Sequence, residues 1–277
     1  MPHSSAISLL FCVAGAVVAI LLTGLGLVVY LVAFRSPANT PGAWLRRGLR
    51  DGLAVVCTGD SHTSASLSAD YVADLRSRPE LEGWEFINAG QNGDTSLELL
   101  KRLDSIVRCQ PDAVTVLIGS NDVRAGFSAV EERAFEENVR AILARLNGVN
   151  GARVAVLSVP PLGEDLADEV NRQVERCNAV LRRVAVESGA TYLPLHESLK
   201  RLMEDLGASR PFELSVRVML GAAVRRYIGR QSWDRIGDAN GLIVHTDHLH
   251  LNDRAGKVVA DLIAGWLVAE RGERQKI

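Results

Sequence analysis

The sequence lacks the features that mark several common classes of protein. Its formal net charge is only −2 over 277 residues, so no excess of positive charge favours a nucleic-acid partner. It contains four cysteines. Because Cys12 lies in an apolar N-terminal run, the rest of the chain has an odd number and no visible disulfide framework. No internal repeat or low-complexity tract occurs, which excludes a repeat architecture.

Charge is also missing from one long stretch near the N-terminus. No charged residue occurs from Ala6 to Phe34, and a helix of that length would measure roughly 43 Å, enough to cross a bilayer core of about 30 Å. A cleaved signal peptide is an alternative, but residues 1–5 contain no Lys or Arg and no convincing Ala-x-Ala site follows. A buried core helix fits the unbroken apolar length less well. The sequence therefore predicts a retained transmembrane anchor over residues 1–35.

The residues that follow this stretch bear on topology and on domain boundaries. Four arginines come after the apolar run: Arg35, Arg46, Arg47 and Arg50. By the positive-inside rule they place the rest of the chain in the cytoplasm. Residues 36–42 are rich in Pro and small polar residues, as linkers are. We expect a linker over 36–50 and a globular domain over 51–277.

Short apolar runs alternate with helix-like patterns through the rest of the chain. Five runs read as strands: 53–57, 84–89, 112–118, 153–159 and 191–195. Helical patterns cover 63–76, 97–106, 129–146, 166–187, 196–206 and the residues after 252. Such alternation implies an α/β protein with βαβ units and a parallel sheet that carries helices on both faces.

Polar residues cluster where these strands end. Ser61 follows the first strand in the run Gly59–His62, and the third strand ends in Gly119–Asp122. The second strand leads into the glycine-containing loop 90–96, whose backbone can approach a ligand closely. In open α/β sheets, ligands bind beyond the carboxyl ends of the strands. Ordinary turns and helix caps remain an alternative reading of each cluster taken alone.

A fourth polar cluster, at 245–252, supplies the groups that an activated serine needs. Asp247 and His250 are three residues apart, so in a turn both side chains can lean the same way and the carboxylate can hold the imidazole. The side-chain amide of Asn121 and the backbone N–H groups of Gly93 and Ser61 are candidate donors to an oxyanion.

Four blocks in order resemble the SGNH hydrolases, also called GDSL esterases and lipases. Gly59–His62 is similar to the G-D-S-L block with His62 in place of leucine, and Asn88–Ser96 resembles the second block. Gly119–Asp122 matches G-x-N-D, and Asp247–His250 matches D-x-x-H. The resemblance covers roughly residues 53–265.

The resemblance implies a fold, a set of residue roles and a class of substrate. The expected fold is a flavodoxin-like three-layer α/β/α sandwich around a five-stranded parallel sheet. Ser61 is the implied nucleophile, His250 the base and Asp247 its orienter, while Ser61, Gly93 and Asn121 form the oxyanion hole. The implied reaction is hydrolysis of an ester or thioester, such as an acyl lipid, a lysophospholipid or an O-acetylated sugar, without a cofactor.

Several alternatives remain open from the sequence. Some members of the resembling family transfer acyl groups, and many act outside the cytoplasm, which the flanking arginines do not favour. An inactive, membrane-anchored binding module is a further alternative. A metallohydrolase is another, because His245, Asp247, His248 and His250 are potential ligands. The segment 207–241 is longer than a minimal member needs, and its basic amphipathic part, 212–236, is a candidate cover over the site.

Overall fold

The computed structural model describes residues 2–48, 52–149 and 151–274. Its centre is a five-stranded sheet made of β1 (Leu53–Gly59), β2 (Trp84–Gly90), β3 (Ala113–Leu117), β4 (Arg153–Leu157) and β5 (Thr191–Leu193). The strand order is β2-β1-β3-β4-β5, and every neighbouring pair is parallel. The strands are apolar at nearly every position because helices cover both faces of the sheet. The predicted α/β class and parallel sheet are confirmed.

Helices precede, connect and follow the strands. They are α1 (Pro2–Ala33), α2 (Pro41–Arg47), α3 (Ser61–Ser64), α4 (Tyr71–Ser77), α5 (Ser96–Lys101), α6 (Leu103–Val107), α7 (Ser120–Ala125), α8 (Ala129–Asn147), α9 (Glu169–Glu187), α10 (Leu195–Leu206), α11 (Val216–Tyr227), α12 (Trp233–Ala239) and α13 (Asp253–Arg274). A short 3₁₀ turn, Pro79–Leu81, leads into β2.

The core lies in two layers, one on each face of the sheet. Side chains of α5, α6, α8 and α9 pack against one face, where Val56 and Val114 are fully buried. Side chains of α4, α10 and α13 pack against the other face, where Val55 and Cys57 are fully buried. Successive residues of β1 therefore point into opposite layers, as the alternation of side chains along a strand requires. The expected three-layer sandwich is present.

The predicted helix over 63–76 is wrong in its middle. The chain forms α3, leaves helical geometry at Ala65, whose φ of 62° is left-handed, and resumes only at α4. The Asp70 side chain caps α4 by accepting a hydrogen bond from the Ala73 N–H at 2.9 Å. Apolar spacing persisted through the interruption because Leu67 and Ala69 are buried in a third, smaller cluster rather than on a helix face.

The N-terminal helix contacts the domain through its last turns. Val28 is fully buried in the third cluster together with Ala222 and Ala223 of α11. The Asn92 side chain donates a hydrogen bond of 2.8 Å to the Val32 carbonyl. Across the residues that the structure describes, no helix is long and apolar enough to cross a membrane. The anchor predicted over residues 1–35 is therefore not confirmed.

The residues between α1 and β1 lie against the sheet. Asn39 donates through its side chain to the Phe86 carbonyl at 2.6 Å and accepts from the Asn88 N–H at 3.1 Å. Arg76 donates to the Ala38 carbonyl at 3.0 Å. Trp44 of α2 is buried in the core. The first part of the predicted linker is thus held along the edge strand β2.

Candidate active site

Ser61 stands at the carboxyl end of β1, which lies between β2 and β3 in the sheet. The strand ends at Gly59, and Asp60 caps α3 by accepting a hydrogen bond from the His62 N–H at 3.0 Å. A side chain at Gly59 would place its Cβ 2.2 Å from the Leu117 carbonyl oxygen, so the turn requires glycine. Ser61 is consequently the first residue of a helical turn that projects from the edge of the sheet.

His250 connects Ser61 to Asp247. Its Nε2 lies 3.1 Å from the Ser61 Oγ, and its Nδ1 lies 2.8 Å from Asp247 Oδ2. Because an ionised carboxylate can only accept, Nδ1 carries a hydrogen and Nε2 presents a lone pair to the serine hydroxyl. His250 is thus within hydrogen-bond distance of both of the other residues that the sequence predicts to act with it.

Asp247 is fully buried, yet its pKa is low. Burial by itself would raise that pKa, but the charge and ring hydrogen bond of His250 and the backbone N–H groups of His250 and Leu249 lower it to about 2. Those N–H groups donate to Asp247 Oδ1 at 2.8 and 3.2 Å respectively. The Asp247 carboxylate is therefore ionised at neutral pH and fixed in orientation against the His250 ring.

A buried glutamate supports the turn that carries these two residues. Glu164 accepts hydrogen bonds from the N–H groups of Ile243, Val244 and His245, and the His245 ring lies 3.2 Å from the same carboxylate. Burial acts to raise the pKa of Glu164, but these hydrogen bonds and the His245 charge leave it below its ordinary value. The turn before Asp247 is thus tied to the segment that follows β4.

Three donors predicted for an oxyanion line one cavity. The cavity, of about 340 Å³, is bounded by Ser61, Gly93, Asn121 and His250 among others. Gly93 has a φ of 80°, which favours glycine. The Asn121 Nδ2 donates to the Asp94 carbonyl at 2.9 Å, and its other contact, to Asp60 Oδ2, is long at 3.5 Å. The amide hydrogen that makes only the long contact with Asp60 is the candidate donor to a substrate oxygen.

The same cavity has largely apolar walls. Six side chains supply them: Val32, Leu67, Leu214, Val216, Met219 and Leu249. The first comes from α1, and three others come from α11 and the residues just before it. The expectation that 212–236 covers the site therefore holds for its first part. Ile228 is not among the cavity walls and is 56 % exposed.

His62, the residue in place of the usual leucine, lies beside His250 with ring centres 6.1 Å apart. It is buried, and neither of its ring nitrogens hydrogen-bonds to any described group. Burial, together with the nearby His250 and His245, lowers its pKa to about 3. His62 is therefore uncharged at neutral pH, and it does not line the cavity.

The side chains that suggested a metal site do not converge. His245 is directed to Glu164 and to the Pro161 carbonyl, and His248 is directed to the Pro211 carbonyl. In the described part of the chain, no group of three or more His, Cys, Asp or Glu side chains is arranged to hold a metal ion. Asp247 and His250 instead contact each other.

Sequence reasoning missed three residues at this site. Arg124 follows Asn121 by three positions on α7, a spacing that places both on one helix face and was an available signal. Glu164 stands alone after the Pro160–Pro161 pair, and Val32 belongs to a run that reads as uniformly apolar. No sequence signal separates Val32 from its neighbours, because only the fold brings α1 to the cavity.

The fold and these contacts agree with the family that the sequence resembles. The chain belongs to the family of GDSL-like lipases and acylhydrolases, which matches residues 57–255, and it is accordingly a hydrolase that acts on ester bonds. The resemblance of the sequence to this family is confirmed. No curated protein matches the chain at a significant level.

Several solved structures are similar to the chain. One is an acetyl xylan esterase with a TM-score of 0.58 and 20 % identity, over 76 % of this chain and 98 % of that one. Another is an acetylxylan esterase from Geobacillus stearothermophilus, with a TM-score of 0.55 and 17 % identity, over 78 % and 94 %. A third is an alpha/beta hydrolase enzyme from the metagenome of Lake Arreo, Spain, with a TM-score of 0.55 and 18 % identity, over 78 % and 95 %. At these identities the likeness establishes the fold alone.

Proposed function

We propose that the chain hydrolyses a carboxylic ester or thioester through an acyl-serine intermediate on Ser61. The observation that carries the proposal is the unbroken series of contacts from Ser61 Oγ through His250 to Asp247. In the first step His250 Nε2 takes the hydroxyl proton as Ser61 Oγ attacks the carbonyl carbon. The resulting imidazolium lies against the ionised Asp247, which stabilises it.

The developing negative charge on the substrate oxygen is met by preformed donors. Ser61, Gly93 and Asn121 line the cavity in which the carbonyl would lie, and two backbone N–H groups and one side-chain amide are the proposed donors. Such donors stabilise the tetrahedral state more than the neutral ester, so they lower the barrier. Collapse of this state breaks the bond to the leaving group, which takes the proton held by His250.

Water completes the reaction. It attacks the acyl-serine while His250 accepts one of its protons, and the second tetrahedral state then releases the acid and returns a proton to Ser61. An acyl acceptor other than water would make the same chain an acyltransferase. Product analysis with and without an added alcohol separates the two outcomes.

The apolar walls favour an acyl group longer than acetyl. A polyhydroxylated sugar would meet few polar partners on those walls, whereas each buried methylene contributes about 0.8 kcal/mol to binding. An acyl lipid or lysophospholipid is therefore our first candidate. An O-acetylated sugar is the second, and the observation that favours it is the description of two structural neighbours as acetyl xylan esterases.

We also propose that residues 6–34 anchor the chain in a membrane. The support is the absence of charge from this run and the exposure of several apolar side chains of α1, among them Val18, Leu22 and Leu27. The flanking arginines favour a cytoplasmic domain. Protease added to intact cells tests the side, since digestion of the domain from outside would reverse this topology.

The test of the catalytic proposal uses three substitutions and a serine-directed fluorophosphonate. Ser61→Ala and His250→Ala should abolish turnover of an aryl ester, while Asp247→Asn should retain a small part of the activity. Only wild type and Asp247→Asn should be labelled at an appreciable rate, and all four proteins should keep the same circular dichroism. Full turnover by Ser61→Ala would refute the proposal, and activity lost in a chelator and restored by zinc would favour the metallohydrolase alternative.

A further inference from the structure

Arg124 lies at the cavity beside the oxyanion residues. It is exposed on α7, one helical turn after Asn121, and it is part of the cavity lining together with Ser61 and His250. Its Nε and Nη2 donate to the Asn121 Oδ1 at 3.3 and 3.1 Å. Only the width of one amide group therefore separates the guanidinium from the place where the substrate carbonyl is activated.

The charge of Arg124 has no counter-ion in the described part of the chain. Its partner, the Asn121 amide, is neutral, and neither Asp nor Glu lines the cavity. Arg102, by contrast, lies near the same loop and pairs with Asp94. A guanidinium has five N–H donors in a planar fork, and Asn121 accepts from only two of its nitrogens. Its free donors and its charge suit a phosphate or a carboxylate.

The cavity thus joins one fixed positive charge to apolar walls. We propose that the substrate is a single-chain amphiphile that carries a negative charge close to its acyl ester, as a monoacyl glycerophosphate does. Arg124 is the specificity-determining residue that binds this charge, and the walls that include Leu67, Met219 and Leu249 hold the acyl chain. The proposal rests on the proposed ester hydrolysis, and it adds the chemical class of the substrate.

Three soluble substrates with one acyl chain test the proposal. They are 1-octanoylglycerol 3-phosphate, 1-octanoylglycerol, and the octanoyl ester of glycerol carrying a succinate half-ester, which tells a phosphate requirement from a general need for an anion. The readout is the ratio of kcat/KM on an anionic substrate to kcat/KM on the neutral one. This ratio cancels any loss that Arg124 causes through Asn121, since such a loss affects all esters alike.

Arg124→Gln should lower this ratio about tenfold, mainly through KM, because a charge-assisted hydrogen bond is lost at an exposed site. Arg124→Lys should restore most of the ratio because it keeps the charge. Arg108→Gln is the matched control: it removes an exposed arginine located just before β3, at the opposite edge of the sheet from Ser61. Its ratio should equal that of wild type.

A binding measurement separates this proposal from the catalytic one. In the Ser61→Ala background, the octanoyl glycerophosphate should bind about tenfold more tightly than octanoylglycerol, and Arg124→Gln should abolish the difference. A ratio unchanged by Arg124→Gln, or wild type that prefers the neutral ester, overturns the proposal. If the proposed ester hydrolysis is itself wrong, the result is different: no ester is turned over, and the fluorophosphonate does not label the protein.

Discussion

At the scale of single residues, a structural role and a catalytic role of Asn121 can be measured apart. Its side chain bonds the Asp94 carbonyl, and Asn121 lines the cavity together with Ser61 and His250. We expect Asn121→Ala to lower kcat about 10²–10³-fold per folded molecule, because an oxyanion donor acts mainly in the transition state. Steady-state kinetics corrected for the active fraction by fluorophosphonate titration provides the measurement.

Asn178→Ala is the control for the structural task of Asn121. Asn178 is also buried, and its side chain bonds the backbone of Val159 at 2.7 and 3.0 Å, outside the cavity. This variant should melt several degrees lower and keep the kcat of wild type. An Asn121→Ala variant that behaves in the same way would show that Asn121 only maintains the loop.

His62 makes the stability of the folded chain depend on pH. Because its pKa falls from an ordinary 6.5 to about 3 on folding, only the unfolded chain binds a proton there between those values. The free energy of unfolding therefore decreases as the pH falls through 6.5. His62→Leu should stabilise the fold by about 1–3 kcal/mol at pH 7, since a buried unpaired polar group is removed. Urea unfolding provides the measurement.

The gain from His62→Leu should be larger in acid. At pH 5 the histidine of wild type costs about 2 kcal/mol more than at pH 7. Asp60 acts in the opposite direction: burial raises its pKa to about 7, so the folded chain binds that proton and gains stability as the pH falls from 7 towards 3.8. The two effects offset each other in wild type. A gain from His62→Leu that is equal at pH 5 and pH 7 would contradict this account.

At the scale of elements, the segment that begins before α11 supplies three of the apolar side chains that line the cavity: Leu214, Val216 and Met219. Met219 lines the wall, whereas Ile228, at the end of the same helix, does not. We expect Met219→Ala to lower the ratio of kcat/KM for octanoyl over acetyl esters about tenfold, because apolar contact with the longer chain is lost. Ile228→Ala should leave the ratio unchanged. An equal loss on both esters in Met219→Ala would indicate a purely structural helix.

The elements that sequence reasoning located are those with one strong local pattern. The run Leu53–Gly59 is apolar because helices cover both faces of its strand, and the polar residues after it could be placed at the edge of the sheet. Where the apolar pattern predicted the wrong element, the apolar residues are buried by tertiary contacts rather than on one face of a helix. Ala65 interrupts the helix predicted over 63–76, while Leu67 keeps an apolar position for a different reason, burial against α11 and α12.

The residues of the candidate site also fall into those that a local sequence pattern predicts and those that only tertiary contacts reveal. Ser61, Asp247 and His250 lie in recognisable blocks, and the structure brings them together. Val32 and Glu164 act through contacts between segments far apart in the chain, which no local spacing reveals. Val32 contributes because the end of α1 reaches the cavity, and Glu164 contributes because the loop after β4 contacts the turn 243–250.

At the scale of the whole molecule, α1 is both an appendage and a wall of the cavity. A chain that begins at Ser36 should fold and cleave a short-chain aryl ester, because the sheet and the three catalytic candidates remain. Its octanoyl-to-acetyl ratio should fall several-fold, since Val32 and its apolar contact are removed. Val32→Ala in the full chain should change the ratio in the same direction, which separates the wall from the rest of the helix.

A second truncation measures what the segment after α1 contributes. A chain that begins at Gly42 also loses the contacts of Ala38 and Asn39 with Arg76 and the backbone of β2. Each net hydrogen bond is worth about 1 kcal/mol, so this chain should melt several degrees below the one that begins at Ser36. Equal melting temperatures would show that residues 36–41 contribute nothing to the stability of the domain.

The burial of Val28 against Ala222 and Ala223 also has a consequence for biosynthesis. The helix leaves the ribosome long before α11 is translated, and at about 5–20 residues per second the interval is roughly ten to forty seconds. During that time the helix lacks its α11 partners Ala222 and Ala223, and we expect a chaperone, a translocon or a lipid to cover that apolar surface. The apolar walls of the cavity are therefore completed late, when a helix made at the beginning meets one made near the end.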